Sequence, residues 1–180
     1  GDLTGDGIQD VVMSGSNWSS AAGRVVLIAG PLEGEQATAD LPSWDGTDAG
    51  DKLGIGLAVL GDTDGDGISD LIIGAPGASG GASWSGGEAY VLLGPFDPSG
   101  SFSLLSEMSA RVSGGAGGAY LGRSLGAVGD FNDDGLADVL VSVHGYDRSV
   151  LLVGPIEGDV TLADDVGLSL EGPGGTESGF

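Results

Sequence analysis

Oxygen-bearing side chains recur at fixed positions in three nine-residue segments of the sequence, which we call the aspartate loops. Loop one spans residues 2–10, loop two residues 62–70 and loop three residues 130–138. In each loop these side chains stand at positions 1, 3, 5 and 9, and glycine stands at position 6. Hard oxygen donors arranged around one sharp turn are typical of a Ca2+ loop. The spacing therefore predicts three calcium sites.

The composition of the loops predicts both the ligands and their relative strength. Ca2+ takes about six to eight oxygens, so the backbone carbonyl of position 7 is expected to join the side chains. Loop two has four carboxylates, whereas loops one and three have Thr4 and Asn132 at position 3, so loop two is predicted to bind most tightly. The predicted metal ligands are Asp2, Thr4, Asp6, Ile8, Asp10, Asp62, Asp64, Asp66, Ile68, Asp70, Asp130, Asn132, Asp134, Leu136 and Asp138.

The residues that follow each loop exclude an EF-hand. An EF-hand has Glu at position 12 and leads into a helix, whereas position 12 is occupied by Met13, Ile73 and Val141. Apolar runs directly after each loop predict buried strands, so each loop is expected to join two strands. A single Asp/Gly cluster could be only a solvated turn, but three copies in register favour a metal site.

Composition and charge limit the possible partners. The 180 residues are 40% apolar, with a mean hydropathy of +0.18, which is enough to bury a core. The 27 acidic and 5 basic residues give a formal charge of −22, and ten of the acids are predicted ligands. The remaining charge opposes binding to nucleic acid or to anionic membranes. No apolar run of membrane length occurs, so this segment is not expected to insert into a membrane.

The spacing of the loops reveals a repeat of 60 to 68 residues. Each copy also contains an apolar strand that ends in Gly-Pro, at 30–31, 94–95 and 154–155. Strands A to D are predicted near 55–60, 70–74, 88–93 and 110–113 in the second copy, and near 123–128, 138–143, 149–153 and 166–170 in the third. Helical periodicity is confined to the stretch around Leu104 to Ala110. Four short antiparallel strands per repeat indicate an all-β protein built from β-propeller blades.

One stretch of the second copy resembles a known repeat. Leu53-Gly54, the following aspartate loop and Gly74-Ala75-Pro76 are similar to the FG-GAP repeat of integrin α-subunit β-propellers and their bacterial relatives. Leu53 and Leu121 replace the usual Phe, and the third copy has Ser142-Val143-His144 in place of Gly-Ala-Pro. The resemblance implies an adhesion or recognition module and a closed ring of about seven blades.

The repeat divides the sequence into about three blades. Residues 1–46 are expected to form blade 1 without its first strand, residues 47–114 blade 2 and residues 115–172 blade 3. Residues 173–180 would begin a further repeat and end on its Phe, Phe180. Three blades cannot close a ring. The expectation is therefore a partial propeller, either a window on a longer chain or a protomer that completes its sheet with neighbours.

The other ionisable and aromatic residues do not indicate catalysis. His144 is the only histidine and no cysteine is present, so no catalytic residue is predicted and the segment is expected not to be an enzyme. His144 is interpreted as a loop residue. Trp18 and Trp84 stand at similar places after their aspartate loops, and they could form a binding surface or pack between blades.

The function predicted from these features is that of a calcium-stabilised propeller segment of a secreted or cell-surface protein. The open calcium loops fit an extracellular setting, where affinities of about 0.1–1 mM are sufficient. Its partners would be a protein or glycan ligand, or copies of itself. Two alternatives stay open: a structural subunit of an extracellular fibre or oligomer assembled by strand-edge pairing, and an accessory propeller of a secreted hydrolase or lyase.

Overall fold

The chain folds almost entirely into strands. A computed structural model describes residues 1–32, 34–35, 37–81, 84–100, 102–162 and 168–171, the last range as backbone only. The helical segments described are two four-residue turns, α1 (Trp18–Ala21) and α2 (Leu104–Glu107), and two 3-10 turns, Thr38–Asp40 and His144–Tyr146. The strands are β1 (Val11–Ser14), β2 (Arg24–Ile28), β3 (Ser43–Asp45), β4 (Leu57–Val59), β5 (Leu71–Ala75), β6 (Glu88–Leu92), β7 (Met108–Ser113), β8 (Leu121–Gly129), β9 (Asp138–Val143), β10 (Arg148–Leu152), β11 (Gly158–Thr161) and β12 (Leu168–Glu171).

These strands form three sheets that follow one another along the chain. Sheet one has the order β1-β2-β3, sheet two the order β11-β7-β6-β5-β4 and sheet three the order β12-β10-β9-β8. Neighbouring strands are antiparallel, except that β11 pairs with β7 in parallel. Each sheet thus contains the consecutive antiparallel strands of one propeller blade. The prediction of an all-β, partial propeller is confirmed.

The strands predicted in the second and third copies are present as β4–β7 and as β8, β9, β10 and β12. The helical stretch around Leu104 is shorter than predicted, because the chain pairs with β6 from Met108 onward and becomes β7. Strand β11 was not predicted. It lies in the connection after β10 and joins the outer edge of the neighbouring sheet. The blade limits at residues 46, 114 and 172 stay predictions.

Sheet two is buried on both faces, which explains the apolar runs in its sequence. All five residues of β5 are buried. Leu71 and Ile73 pack in a cluster with residues of sheet one, whereas Ile72 belongs to a second cluster with residues of sheet three. Successive side chains of a strand point to opposite faces. The two clusters are therefore the interfaces on either side of sheet two.

The connectivity sorts the loops between two ends of the sheets. Loops two and three join β4 to β5 and β8 to β9, and the Gly-Pro turns follow β2, β6 and β10 at that same end, which we call the aspartate end. Because the strands are antiparallel and consecutive, the connections β1–β2, β5–β6 and β9–β10 lie at the opposite end. The segments that lead into β4 and β8 also lie there.

The remaining predictions about the fold concern residues 173–180 and membrane insertion. Phe180 and the further repeat predicted at residues 173–180 lie outside the described residues. In the part of the chain that is described, no helix has the length and apolar character needed to cross a membrane.

Candidate metal centre

The three aspartate loops share one backbone conformation. The glycines at position 6 have φ angles of 84°, 86° and 92°, a left-handed conformation that glycine adopts without a steric penalty. Their amide groups donate to the carboxylate at position 1 of the same loop, with N–O distances of 2.8–2.9 Å. The amide of position 7 donates to the carboxylate at position 5 at 2.7–2.8 Å. The turn therefore draws both carboxylates toward its own centre.

The aspartate at position 9 has a structural role that sequence reasoning missed. Asp10, Asp70 and Asp138 are buried, with relative exposures of 5%, 0% and 0%. One carboxylate oxygen of each accepts a hydrogen bond from the amide at position 2, at 2.7–2.8 Å. The other accepts from the glycine amide of the Gly-Pro turn, at 2.9–3.0 Å. Position 9 therefore ties each loop to the turn after the third strand, although the separation in sequence differs between copies.

Loop two brings three carboxylates together. Oxygen atoms of Asp62, Asp64 and Asp70, at positions 1, 3 and 9, lie within 4.8 Å of one another. Asp66 at position 5 is not part of this group. In the described part of loops one and three, no three carboxylates approach as closely. Thr4 and Asn132 occupy position 3 there, so the corresponding trio would include a neutral side chain.

Uncommitted oxygen atoms in the loops fit a hard divalent cation. The Thr4 hydroxyl oxygen is buried and has no hydrogen-bond partner among the residues that the structure describes. The position 7 carbonyls of Ile8, Ile68 and Leu136 accept no hydrogen bond from any residue that the structure describes. Carboxylate, hydroxyl and carbonyl oxygens are the donors that Ca2+ prefers. The positive charge of such an ion would offset the repulsion between the carboxylates. The assignment of ligands within each loop stays a prediction.

The position 9 carboxylates differ in electrostatic environment. Burial raises the pKa of Asp70, hydrogen bonds from Thr63 and Gly94 offset this only in part, and the nearby charge of Asp64 raises the pKa further. Burial also opposes ionisation of Asp10, but amide donors that include Gly30 outweigh it, so the pKa of Asp10 lies below its ordinary value. Burial, and to a smaller extent the charge of Asp64, therefore make ionised Asp70 costly in the absence of a cation.

Neighbouring aspartate loops are joined by backbone hydrogen bonds. The amide of Ser69 in loop two donates to the carbonyl of Asp2 in loop one, at 3.0 Å. The amide of Ala137 in loop three donates to the carbonyl of Asp62 in loop two, at 2.7 Å. In both pairs, position 8 of one loop bonds to position 1 of the preceding loop. The three candidate sites are therefore parts of one connected array.

The aromatic and histidine residues singled out in the sequence lie at the opposite end. Trp18 and Trp84 are 50% and 60% exposed. The Arg24 guanidinium lies 4.2 Å from the Trp18 ring centroid, and Trp84 makes an edge contact with Tyr120 at 6.4 Å. Trp18 thus packs on Arg24, whereas Trp84 packs on Tyr120 and also lies close to Gly117 and Gly118. Both residues remain at least half exposed, so both interpretations stay open. His144 begins a 3-10 turn in the β9–β10 connection, as expected for a loop residue.

Comparisons with known proteins match this architecture. The family model described as FG-GAP repeat matches residues 53–92. The chain is 33% identical to human integrin alpha-X over 111 residues, which is 57% of the chain and 9% of that relative. It is 30% identical to Drosophila integrin alpha-PS5 over 162 residues, which is 83% of the chain and 15% of the relative. Mouse integrin alpha-M is 35% identical over 98 residues, 53% of the chain and 8% of the relative.

The chain thus spans less than a fifth of the length of these relatives. The matched region contains the β4 to β6 strands and loop two, which are the parts from which the repeat was defined in the sequence. From its repeated loops, its blade-like sheets and these likenesses, the chain contains an FG-GAP repeat at residues 53–92 and is similar to the integrin α-subunits.

Proposed function

We propose that the chain is a calcium-braced segment of an FG-GAP propeller that acts in adhesion or recognition, outside the cell or at its surface. The observation that carries the proposal is the hydrogen-bond pattern repeated in three aspartate loops at one end of the sheets. The adhesion or recognition role is inferred from the similarity to integrin α-subunits, because a fold alone does not determine a function.

In this proposal the two ends of the sheets have different tasks. At the aspartate end, the predicted ligands of each loop hold Ca2+, whose charge offsets the repulsion between carboxylates. Position 9 connects each loop to its Gly-Pro turn, so a stabilised loop also stabilises the turn that follows β2, β6 or β10. The opposite end is then available to contact a protein or glycan partner.

Calorimetric titration of the chelator-treated chain with Ca2+ tests the metal sites. We expect three binding events and a melting temperature that rises with Ca2+; at 100 times the Kd, one site adds about 2.7 kcal/mol to the free energy of unfolding. Asp134→Asn removes a predicted ligand at position 5 of loop three and should weaken one site. Asp133→Asn removes the same charge from the adjacent exposed residue at position 4, and should leave all three sites intact.

Three outcomes would contradict the calcium proposal. The first is the absence of binding heat and of stabilisation at millimolar Ca2+. The second is equal loss of binding in Asp134→Asn and Asp133→Asn, because simple charge attraction would then explain the binding. The third is equal stabilisation by any salt at matched ionic strength, since screening of the −22 charge would account for it.

A second candidate function rests on the edge of sheet one. Among the described strands of sheet one β1 lies at the edge, and Val11 and Met13, which share one face of it, are 44% and 49% exposed. An exposed apolar edge is a template for pairing with another strand. If copies of the chain assemble through β1, light scattering should show mass that rises with concentration, and Met13→Lys should reduce it. A compact monomer at high concentration would exclude this alternative.

A further inference from the structure

A cleft at the opposite end lies between sheets two and three. It has a volume of about 320 Å³ and is lined by the segment that leads into β4, the β5–β6 connection and the start of β8 with the residue before it. Its lining includes Lys52, Ile55, Pro76, Ser85, Tyr120 and Arg123. Clefts of roughly 300 Å³ or more are large enough to hold a small ligand or a side chain of a partner.

Two cations that form no ion pair with any described residue lie at this cleft. Of the five cations in the chain, Arg24 and Arg111 form ion pairs with Asp45 and Asp159. Arg148 donates to a backbone carbonyl, that of Leu162. The other two, Lys52 and Arg123, both line the cleft, are exposed, and form no ion pair with any described residue. In a chain with 27 acids, two unpaired cations at one cleft are an unusual concentration of positive charge.

The acid next to Lys52 in the sequence is already engaged within its own loop. Asp51 is 7% exposed, and its carboxylate accepts hydrogen bonds from the Thr47 hydroxyl at 3.0 Å and the Asp48 amide at 2.9 Å. Its lone pairs are thus partly used inside the turn that precedes the cleft. Lys52 itself is exposed and forms no ion pair with Asp51.

The backbone around the cleft is held in an uncommon conformation. Lys52, Ser85 and Tyr120 have φ angles of 58°, 39° and 49°, which non-glycine residues rarely adopt. Backbone hydrogen bonds hold this conformation. The Lys52 amide donates to the carbonyl of Ala21 at 2.9 Å, and the Tyr120 amide donates to the carbonyl of Ser85 at 3.2 Å. Such conformations persist where the surroundings determine them, and they concentrate at ligand sites. The cleft is therefore formed before any ligand arrives.

We propose that this cleft binds the carboxylate of an acidic side chain from a protein partner. The Arg123 guanidinium can bind a carboxylate through two parallel N–H groups, and the Lys52 ammonium adds a second positive charge. Pro76 and Ile55, which is 41% exposed, offer an apolar wall for the methylene groups of a Glu or Asp side chain. The inference rests on the proposed recognition role and gives it a ligand chemistry.

Nuclear magnetic resonance titration of the 180-residue chain tests the inference. The probes are the α-amide of N-acetylglutamic acid, its glutamine counterpart and glucuronic acid, at about 0.15 M salt and about 1 mM Ca2+. We expect the glutamate probe to shift the amide signals of Gly77, Ser85 and Tyr120. The glutamine probe should bind at least about tenfold more weakly, because it cannot form charge-assisted hydrogen bonds.

Matched variants separate the cleft from general charge attraction. Lys52→Gln and Arg123→Gln should each weaken binding of the glutamate probe at least about tenfold. Arg24→Gln removes the same charge at the same end of the sheets, from a residue that is already ion-paired, and should leave affinity unchanged. All three side chains lie at the surface or near it, and melting temperatures with Ca2+ check that each variant is folded.

Several results would overturn the inference. These are the absence of probe binding in a chain that titrates normally with Ca2+, equal weakening in Arg24→Gln, or unchanged affinity in both Lys52→Gln and Arg123→Gln. Binding of glucuronic acid without binding of the glutamate probe would assign the cleft to a glycan instead of a protein partner. A chain that fails the Ca2+ titration but binds the glutamate probe would overturn the metal proposal and leave the cleft assignment standing.

Discussion

Asp10 illustrates how one carboxylate can stabilise the fold apart from any metal. It accepts hydrogen bonds from the amides of Leu3, Thr4 and Gly30, at 2.7–2.9 Å. Asp10→Asn replaces one acceptor oxygen with a donor group, which would face an amide donor. In chelator at pH 7, we expect the free energy of unfolding to fall by about 2–3 kcal/mol, measured by urea denaturation. Asp6→Asn, at an exposed position of the same loop, should change it by less than about 1 kcal/mol.

The pH dependence of this effect has a definite sign. The pKa of Asp10 in the folded chain is lowered from its ordinary value of 3.8, because amide donors outweigh the effect of burial. Ionisation of Asp10 therefore favours folding. Its contribution is complete above the unfolded pKa and is lost as the pH falls through the lower folded pKa. The stability difference between the original chain and Asp10→Asn should shrink below about pH 4; a difference that grew on acidification would contradict this account.

Both the backbone conformation and the neighbouring atoms require glycine at position 87. Its φ is +79°, and a Cβ atom added there would lie 2.2 Å from the backbone nitrogen of Leu121. Gly87→Ala should therefore lower the free energy of unfolding by at least about 2 kcal/mol. Gly81 lies in the same connection with the same φ of +79°, and the Cβ of an alanine there would lie more than 4 Å from every described atom outside its chain neighbours. Gly81→Ala measures the conformational cost alone, and an equal loss in both variants would exclude the packing explanation.

At the scale of elements, Trp44 connects sheet one to the segment that precedes β7. It is fully buried, stacks on Phe102 with ring centroids 4.3 Å apart, and donates from Nε1 to Glu107 at 3.0 Å. Trp44→Ala should cost about 3–5 kcal/mol in urea denaturation. Trp84→Ala provides the control, because Trp84 is 60% exposed and its loss should cost about 1 kcal/mol or less. Comparable losses would show that Trp44 does not bridge the sheets as described.

The elements also show how far the sequence determines the fold and the site. Strands such as β5 and β9 were predictable because loop spacing and apolar runs repeat within the chain. Strand β11 was not, because its residues Gly158–Thr161 have no apolar alternation and pair with β7, which lies far earlier in the chain. The cleft was not predicted for the same reason. Lys52 and Arg123 are far apart in sequence, and only the packing of sheets two and three brings them to one cavity.

At the scale of the whole molecule, the aspartate loops form a series rather than three isolated sites. Ser69 bonds back to loop one and Ala137 bonds back to loop two through backbone carbonyls at position 1. A Cβ atom added at Gly5 would lie 3.0 Å from the side chain of Ile68, so loops one and two also pack on each other. Ordering of one loop by a cation would therefore reduce local opening in the next loop.

Hydrogen exchange at the Ala137 amide measures this coupling. Asp66→Asn removes a predicted ligand of loop two and leaves every predicted ligand of loop three in place. If the loops act in series, the Ala137 amide should exchange at least about tenfold faster in this variant with Ca2+ present, because its acceptor on Asp62 belongs to the weakened loop. Asp133→Asn, with the same change of charge, should leave the exchange rate unaltered. Unchanged protection at Ala137 in Asp66→Asn, despite loss of calcium heat from one site, would show that each loop orders independently of the loop before it.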